Sequence, residues 1–254
     1  MRHTRLIARL DVKAPFLIKG INFEGVRKIG LPNEFAVRYY RQGVDEILYM
    51  DAVASLYARN NLAEVVRETA NEVFVPMGVG GGLRSLNDVK NMMRAGADKV
   101  AINTAAIKRP EILSQVAEAY GSQATVLSVE AKRHPSKKRW EAYIDNGREK
   151  TGLDVVEWVT HAETLGVGEI LLTSVDREGM QTGYDIDLVK AVTKVVNIPV
   201  IASGGMGQPE HLAQVIEDGG ASAVAIAHAF HYGNYSVGQL KDYLHGKGIQ
   251  VRRL

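Results

Sequence analysis

The sequence predicts an α/β fold, a single (β/α)₈ TIM barrel built from two duplicated half-barrels. The chain has 254 residues, close to the ~250 that are typical of one such barrel. Short β-branched runs alternate with amphipathic segments along the chain, and eight such units favour a closed parallel barrel over an open sheet. Segments of the first half also recur in the second half at a nearly constant spacing, which indicates an internal duplication.

The β-branched runs predict eight strands, at 5–10, 46–51, 75–78, 99–102, 125–129, 169–173, 199–202 and 223–227. Between them, prolines and capping residues mark helix starts, namely Pro32, Ser85 with Asp88, Pro110 and Asp187. After the fifth strand, the alternation of Trp140 and Tyr143 with charged residues predicts an additional hairpin.

The internal repeat is visible in two pairs of segments. The stretch 43–48 (GVDEIL) returns as 166–171 (GVGEIL), 123 residues later, and 96–103 is echoed by 220–227 at a spacing of 124 residues. No linker interrupts the chain. We therefore expect one domain over 1–254, with half-barrels of approximately 1–122 and 123–254.

The composition excludes several classes of protein. Hydrophobic residues make up 46% of the chain and the formal net charge is +2, so the chain is globular and shows no basic stripe for nucleic acid. There is no cysteine, which excludes disulfides, thiolate metal sites and cysteine nucleophiles. No apolar run approaches the ~20 residues of a membrane span, and no leader with a cleavage site is recognisable, so we expect a cytoplasmic protein. The seven histidines lack metal-ligand spacing, and we expect no metal and no other cofactor.

Carboxylates follow several predicted strands, at the face where the active sites of these barrels lie. Asp11 and Glu130 come after strands 1 and 5, which stand opposite each other in an eight-stranded barrel, so the two form a candidate general acid/base pair. Asp51 and Asp176 follow strands 2 and 6. The alternative for each is a carboxylate that only caps a loop or pairs with a nearby lysine.

Two glycine clusters predict phosphate binding. Gly80-Gly81-Gly82 follows strand 3 and Gly204-Gly205 follows strand 7, and each cluster precedes a helix whose N-terminal amides would attract an anion. Asn103 and Thr104 add donors beside the first cluster. His228 stands at the matching place in the second half, as a phosphate donor, a base or an ordinary loop histidine. One cluster in each half indicates a substrate with a phosphate at both ends.

Four charged residues of alternating sign begin strands 1, 2, 4 and 6, namely Arg5, Glu46, Lys99 and Glu169. At strand starts they would form a ring at the bottom of the barrel, opposite the catalytic face. Such a ring costs stability unless every member is paired, which suggests a functional reason. The alternative is ordinary solvated loop charges.

These motifs together resemble the HisF family, the cyclase subunit of imidazole glycerol phosphate synthase, over essentially the whole chain. The segments that carry the resemblance are 10–13 (LDVK), 19–23 (KGINF), 80–82 (GGG), 97–100 (ADKV), 102–105 (INTA), 168–174 (GEILLTS) and 201–205 (IASGG). The resemblance implies a bis-phosphorylated substrate and ammonia from a HisH-like glutaminase subunit docked at the barrel bottom as a heterodimer. It implies that Asp11 and Glu130 are catalytic, that the four-charge ring is a gate for ammonia, and that Asp98 faces the glutaminase. We also assign Lys19, Gly179 and Asp176 to the substrate site.

Four departures from the family pattern touch the catalytic face. Glu130 replaces an aspartate, Ala14-Pro15-Phe16 replaces Asp-Gly-Arg, His228 replaces a serine, and Glu178 replaces the aspartate before Gly179. These departures allow a different acceptor for the ammonia, since similar paralogues are thought to form acetamidino groups on nucleotide-linked acetamido sugars of surface polysaccharides. A HisA-like isomerase and a non-catalytic, glutaminase-activating barrel are further alternatives. Because the chain has no cysteine, it cannot release ammonia from glutamine through a thioester of its own, which again implies a separate glutaminase.

Overall fold

Eight parallel strands close into a barrel in the computed structural model, which describes residues 3–52, 62–136 and 139–253. In chain order the barrel strands are β1 (Arg5–Lys13), β4 (Glu46–Asp51), β5 (Met77–Gly80), β6 (Lys99–Ile102), β7 (Thr125–Arg133), β10 (Glu169–Ser174), β11 (Val200–Ser203) and β12 (Ala223–Ile226). Each strand pairs with the next, and β12 returns to β1 with Arg5 opposite Ala223. The predicted (β/α)₈ barrel is confirmed.

Two antiparallel hairpins extend this barrel on its catalytic face. The first joins β2 (Phe16–Ile21) to β3 (Glu24–Gly30), and the second joins β8 (Trp140–Ile144) to β9 (Glu149–Asp154). Only the second was expected from the sequence. Each hairpin begins where a barrel strand extends beyond its predicted end. Lys13 of β1 pairs with Phe16 of β2, and Glu130 of β7 pairs with Tyr143 of β8.

Helices surround the barrel in the described parts of the chain. They are α1 (Pro32–Arg41), α2 (Leu62–Ala70), α3 (Leu86–Ala95), α4 (Thr104–Lys108), α5 (Glu111–Tyr120), α6 (Val155–Thr164), α7 (Ile186–Thr193), α8 (Pro209–Glu217), α9 (His228–His231) and α10 (Val237–Gly246). Within the described ranges no helix has the length and apolar character needed to cross a bilayer.

Local capping chemistry explains where the helices start. Ser85 and Asp88 form the expected capping box of α3, in which the Ser85 hydroxyl accepts the Asp88 N–H at 3.3 Å and Asp88 Oδ2 accepts the Ser85 N–H at 2.9 Å. The expected cap at Asp187 is wrong by two residues. Asp185 caps α7 by accepting the Leu188 N–H at 3.1 Å, and Asp187 lies in the first helical turn.

The apolar side chains form two layers. A small cluster fills the inside of the barrel and consists of Ile7, Leu48, Ala101, Val126, Leu171, Ile201, Ala223 and Ala225. A much larger cluster lies between the strands and the helices. The barrel is thus a packed scaffold, and the polar groups concentrate at its two ends.

Candidate active site

A cavity of about 320 Å³ opens at the carboxyl ends of β1, β4, β5, β6 and β7. Asp11 from β1 and Glu130 from β7 both line it, and Asp51 at the end of β4 contributes to the same wall. The structure therefore brings the two candidate catalytic carboxyl groups to one cavity, although they are separated by more than a hundred residues along the chain.

Asp11 is held by an arginine that the sequence analysis did not single out. Arg9 Nε donates to Asp11 Oδ1 at 3.0 Å, and both side chains are buried. Burial by itself raises the pKa of Asp11, but the Arg9 guanidinium, with Lys19 further away, outweighs it and holds this pKa below its ordinary value. Asp11 is therefore an ionised carboxylate, ready to accept a proton.

Glu130 has the opposite character. Burial raises the pKa of Glu130 to about 7, even though the Gly147 N–H donates to Glu130 Oε2 at 2.8 Å and Arg9 also favours the charged form. Near neutral pH this carboxyl group can hold or release a proton. Two carboxyl groups whose environments separate their pKa values are the arrangement expected for a base and an acid at one site.

The turn of the β8–β9 hairpin lies over this cavity. Asp145 and Asn146 line it with positive φ angles of 56° and 57°, and Asn146 Nδ2 donates to the Ala52 carbonyl at 2.6 Å. Asn103, just after β6, also holds the hairpin, because its Nδ2 donates to the Tyr143 carbonyl on β8 at 3.2 Å. Sequence reasoning missed these turn residues, although Asp-Asn-Gly at 145–147 is a turn signal that could have located them.

The first glycine cluster contributes the loop beside this cavity. Gly81 has a φ of +90°, and a Cβ there would lie 2.4 Å from the Asp51 carbonyl oxygen, so packing alone requires glycine. Gly82, Asn103 and Thr104 line the cavity, which places the predicted donors together.

The helix α3 that follows the first glycine cluster begins at Leu86, after its expected cap Ser85, so its N-terminus does not follow Gly82 directly. The backbone N–H groups just before this helix also have a partner within the protein, since Asp88 Oδ2 accepts those of Arg84 and Ser85 at 3.0 and 2.9 Å. It is the short helix α4 that begins at the cavity, with Thr104.

The second glycine cluster surrounds much less space than the first. Lys19, Gly179, Gly204, Gly205 and His228 surround a space of about 20 Å³. The buried Glu178 carboxylate lines the same space and forms an ion pair with Lys19 Nζ. The predicted residues therefore meet, and the Glu178 carboxylate lies among them.

At the second cluster too, the helix that follows does not begin directly after the glycines. The helix α8 begins at Pro209, and the Gly207 and Gln208 amides donate to His211 Nδ1 at 3.2 and 3.3 Å. His228 opens the short helix α9, and burial, together with Lys19, lowers its pKa. A neutral His228 offers a hydrogen bond rather than a positive charge.

Asp176 lies apart from both clusters. Its side chain is exposed, lines neither cavity, and accepts the Arg133 N–H at 2.8 Å through Oδ2. The structure therefore gives Asp176 a loop-fixing contact, which was the alternative for a carboxylate at a strand end.

The four charges at the strand starts form the expected ring. Arg5 Nη1 lies 2.6 Å from Glu46 Oε2, Lys99 Nζ lies 3.0 Å from the same oxygen and 2.9 Å from Glu169 Oε2, and Arg5 also pairs with Glu169. Each cation thus bridges both acids, and the two glutamates are buried while Arg5 and Lys99 are partly exposed. Next to Lys99, the exposed Asp98 accepts the Met77 N–H at 2.8 Å.

Within the described residues, no group of three or more histidine, aspartate, glutamate or cysteine side chains is arranged to hold a metal ion. The site consists of carboxyl groups, amides and one buried guanidinium. Two carboxyl groups with oppositely shifted pKa values on one cavity, at the carboxyl-terminal face of a (β/α)₈ barrel, are the arrangement typical of barrel enzymes that use acid/base chemistry.

Comparisons with known proteins identify the family within this class to which the chain is similar. Residues 5–236 match the family model described as histidine biosynthesis protein. A relative from Legionella pneumophila named imidazole glycerol phosphate synthase subunit HisF is 59% identical over 210 residues, which are 83% of this chain and 99% of the relative. A protein of the same name from Dehalococcoides mccartyi is 48% identical over 252 residues, 99% of both chains.

The chain belongs to the HisF family of histidine biosynthesis proteins. This confirms the resemblance drawn from the sequence motifs and makes the chain an enzyme subunit. It also supports the histidine-pathway cyclase over the HisA-like isomerase, the acetamidino-forming paralogue and the non-catalytic barrel.

Proposed function

We propose that this protein is the cyclase subunit that forms imidazole glycerol phosphate from a bis-phosphorylated, sugar-linked precursor and ammonia. The observation that carries the proposal is the pair Asp11 and Glu130, which share one cavity while their pKa values lie on opposite sides of their ordinary values. Ring closure with release of an amine needs both proton removal and proton donation, and the cavity offers one group for each.

The protonation states of Asp11 and Glu130 determine the direction of each proton transfer. Ammonia adds to the electrophilic carbonyl carbon of the precursor, the Asp11 carboxylate accepts a proton from the new nitrogen substituent, and the carbonyl oxygen leaves as water. The new nitrogen then closes the ring by bonding to the carbon that carries the departing amine. The bond from this carbon to the amine breaks as the Glu130 carboxyl group donates a proton to the amine. The two groups exchange their protons with solvent before the next turnover. Groups in such roles contribute roughly 10²–10⁴-fold each.

Substrate binding involves the loops around the cavity. Gly82, Asn103 and Thr104 hold one phosphate, beside the open cavity. The second phosphate binds at Lys19, Gly204 and His228 when the Lys19–Glu178 ion pair opens. Lys19 then exchanges a carboxylate partner for a phosphate, so its charge stays compensated.

The ammonia source is a HisH-like glutaminase that forms a heterodimer with this chain. Its docking face comprises the strand starts, with Asp98 beside the gate formed by Arg5, Glu46, Lys99 and Glu169. Phe74, just ahead of β5, is 74% exposed and packs edge-on against Tyr40, at 6.1 Å between ring centroids. Large exposed aromatic side chains are typical of interface centres.

One observation favours a second candidate, the formation of an acetamidino group on a nucleotide-linked acetamido sugar. Glu178 places a negative charge in the second cluster, where the space is about 20 Å³ against about 320 Å³ at the first. A substrate with its phosphates at one end only would not require the Lys19–Glu178 pair to open.

Purified protein supplied with ammonium and either acceptor tests the proposal. We expect imidazole glycerol phosphate from the bis-phosphorylated precursor and no product from the nucleotide-linked sugar. Product from the sugar alone would replace the proposal by the second candidate. Isomerisation of an aminoaldose to an aminoketose without any nitrogen donor would overturn both.

A further inference from the structure

Arg9 lies inside the barrel, directly below the catalytic cavity. Alternate residues of a strand point to one side, and Ile7 belongs to the interior cluster while Arg9 and Asp11 line the cavity. The Arg9 side chain is almost completely buried, with a relative exposure of 4% for the residue. A guanidinium in this place is costly to desolvate, and an apolar side chain of similar volume would pack there more cheaply.

The contacts of Arg9 show what the guanidinium holds. Besides Asp11, it donates through Nη1 to Thr173 Oγ on β10 at 2.9 Å and to Ser203 Oγ on β11 at 3.0 Å. The two hydroxyl groups fix the plane of the guanidinium, and its Nε–H is directed at Asp11 Oδ1. The hydroxyls carry no charge, so among these hydrogen-bonded partners only Asp11 neutralises the cation.

The other charged groups near Asp11 do not replace this contact. Lys19 on β2 is already paired with Glu178. His231 on α9 is buried and its pKa is lowered to about 3, so it is neutral at physiological pH. Glu178 and Glu130 act on Arg9 only at longer range. Arg9 is therefore the cation in direct contact with Asp11, and of the nearby cations it has the largest effect on the charge state of this carboxyl group.

We propose that Arg9 is a positioning residue for the reaction: it fixes the Asp11 carboxylate at the floor of the cavity and so assigns the base to Asp11 and the acid to Glu130. This inference rests on the proposed function for the roles of the two carboxyl groups. The lowered pKa of Asp11 and the raised pKa of Glu130 agree with this assignment. A guanidinium also never gives up its own proton, so Arg9 can hold Asp11 without competing in the proton transfers.

Substitutions at Arg9 separate its charge from its bulk. In Arg9→Met the charge is lost at nearly constant length, and the acidic limb of the kcat/KM profile should move upward by about 1–3 pH units, the effect of removing a neighbouring arginine from an aspartate. In Arg9→Lys the charge remains, and this limb should stay near its wild-type position. The profile is measured at a fixed concentration of neutral ammonia, so that ammonium titration does not distort it.

A matched control is Arg252→Met. Arg252 also pairs with one aspartate, since its Nε lies 3.0 Å from Asp45 Oδ1, but its side chain is 53% exposed and lies away from the cavity. This variant should leave the pH profile unchanged. If Arg9→Met fails to fold, Arg9→Gln, which keeps a hydrogen-bond donor, takes its place.

A second readout does not depend on activity. The pKa of Asp11 is measured by carboxyl ¹³C NMR titration in the wild type and the Arg9 variants. A rise in Arg9→Met but not in Arg9→Lys supports the inference, even if the protein acts on another acceptor and the proposed function fails. An Asp11 pKa that is equal in the wild type and Arg9→Met would overturn it, whatever the catalytic rates.

Discussion

Replacing Glu130 by glutamine changes the stability of the protein in a pH-dependent way. Burial raises the pKa of Glu130 from an ordinary 4.5 to about 7, and each step of one in pKa corresponds to about 1.4 kcal/mol. Keeping Glu130 ionised in the folded protein therefore costs about 3 kcal/mol. Glutamine keeps the shape, can still accept the Gly147 N–H, and has no charge to desolvate.

Whether stability rises or falls with pH depends on how many protons the folded and the unfolded protein bind. Below pH 4.5 the carboxyl group is protonated in both the folded and the unfolded state, so ionisation costs nothing. As the pH rises to about 7, the unfolded chain loses the proton first, and the wild type loses stability. The free energy of unfolding of Glu130→Gln minus that of the wild type should therefore grow by about 3 kcal/mol between pH 4.5 and 8. Packing differences between the two side chains cancel in this comparison.

Urea unfolding of both proteins at pH 4.5 and 8 measures this change, and ammonium-dependent turnover measures the catalytic effect. Turnover should fall by roughly 10²–10⁴-fold, because glutamine cannot donate the proton. Glu149→Gln, an exposed position on β9 of the same hairpin, serves as control and should show no pH-dependent gain. A stability difference between Glu130→Gln and the wild type that stays constant from pH 4.5 to 8 would refute the reasoning.

Three further substitutions address other parts of the molecule. Lys99→Ala opens the charged ring and should lower glutamine-dependent synthesis with the partner more than ammonium-dependent synthesis; a parallel fall in both rates would show that the ring is not a gate. Ser85→Ala removes the α3 capping box and should lower the free energy of unfolding by about 1 kcal/mol, measured by urea denaturation, with kcat/KM unchanged; a loss of activity at equal stability would contradict a purely capping role. Glu178→Gln removes the negative charge from the second cluster and should increase the rise in Tm that inorganic phosphate produces; equal rises in variant and wild type would mean that Glu178 does not oppose the anion.

The barrel was predictable because its signal is local. Most barrel strands contain β-branched residues and alternate along the chain with amphipathic helices, and the order of the units determines which strands are neighbours. The strand ends were less accurate. Residues 75–76 were expected in the third barrel strand, but β5 begins at Met77, since Pro76 has no N–H to donate to a neighbouring strand.

The β2–β3 hairpin was missed because its turn lacks the usual glycine. Asn22 and Phe23 adopt positive φ angles of 48° and 63° there, whereas sequence reasoning looks for Asn-Gly or Asp-Gly in such turns. The Asn22 N–H donates to the Glu178 carbonyl at 2.8 Å. A contact with a distant loop thus supports a turn that local propensity does not predict.

The candidate site was predictable as a set of positions but not as a set of charge states. Asp11 and Glu130 follow opposite strands, which is enough to place them on one face. Arg9 was overlooked as one charge within an apolar run, because its partners Thr173 and Ser203 lie 164 and 194 residues away. The closed Lys19–Glu178 pair likewise depends on a contact between residues 159 positions apart. Such long-range contacts set the pKa values, and the sequence pattern does not contain them.

If Asp11 is the base, this barrel carries out the ammonia-dependent cyclisation without a glutaminase. This is tested by the rate of imidazole glycerol phosphate formation from the bis-phosphorylated precursor and ammonium, in the wild type and in Asp11→Asn. We expect turnover by the wild type and a loss of roughly 10²–10⁴-fold in Asp11→Asn. Near-normal turnover by Asp11→Asn, or no product from the correctly folded wild type, would contradict it.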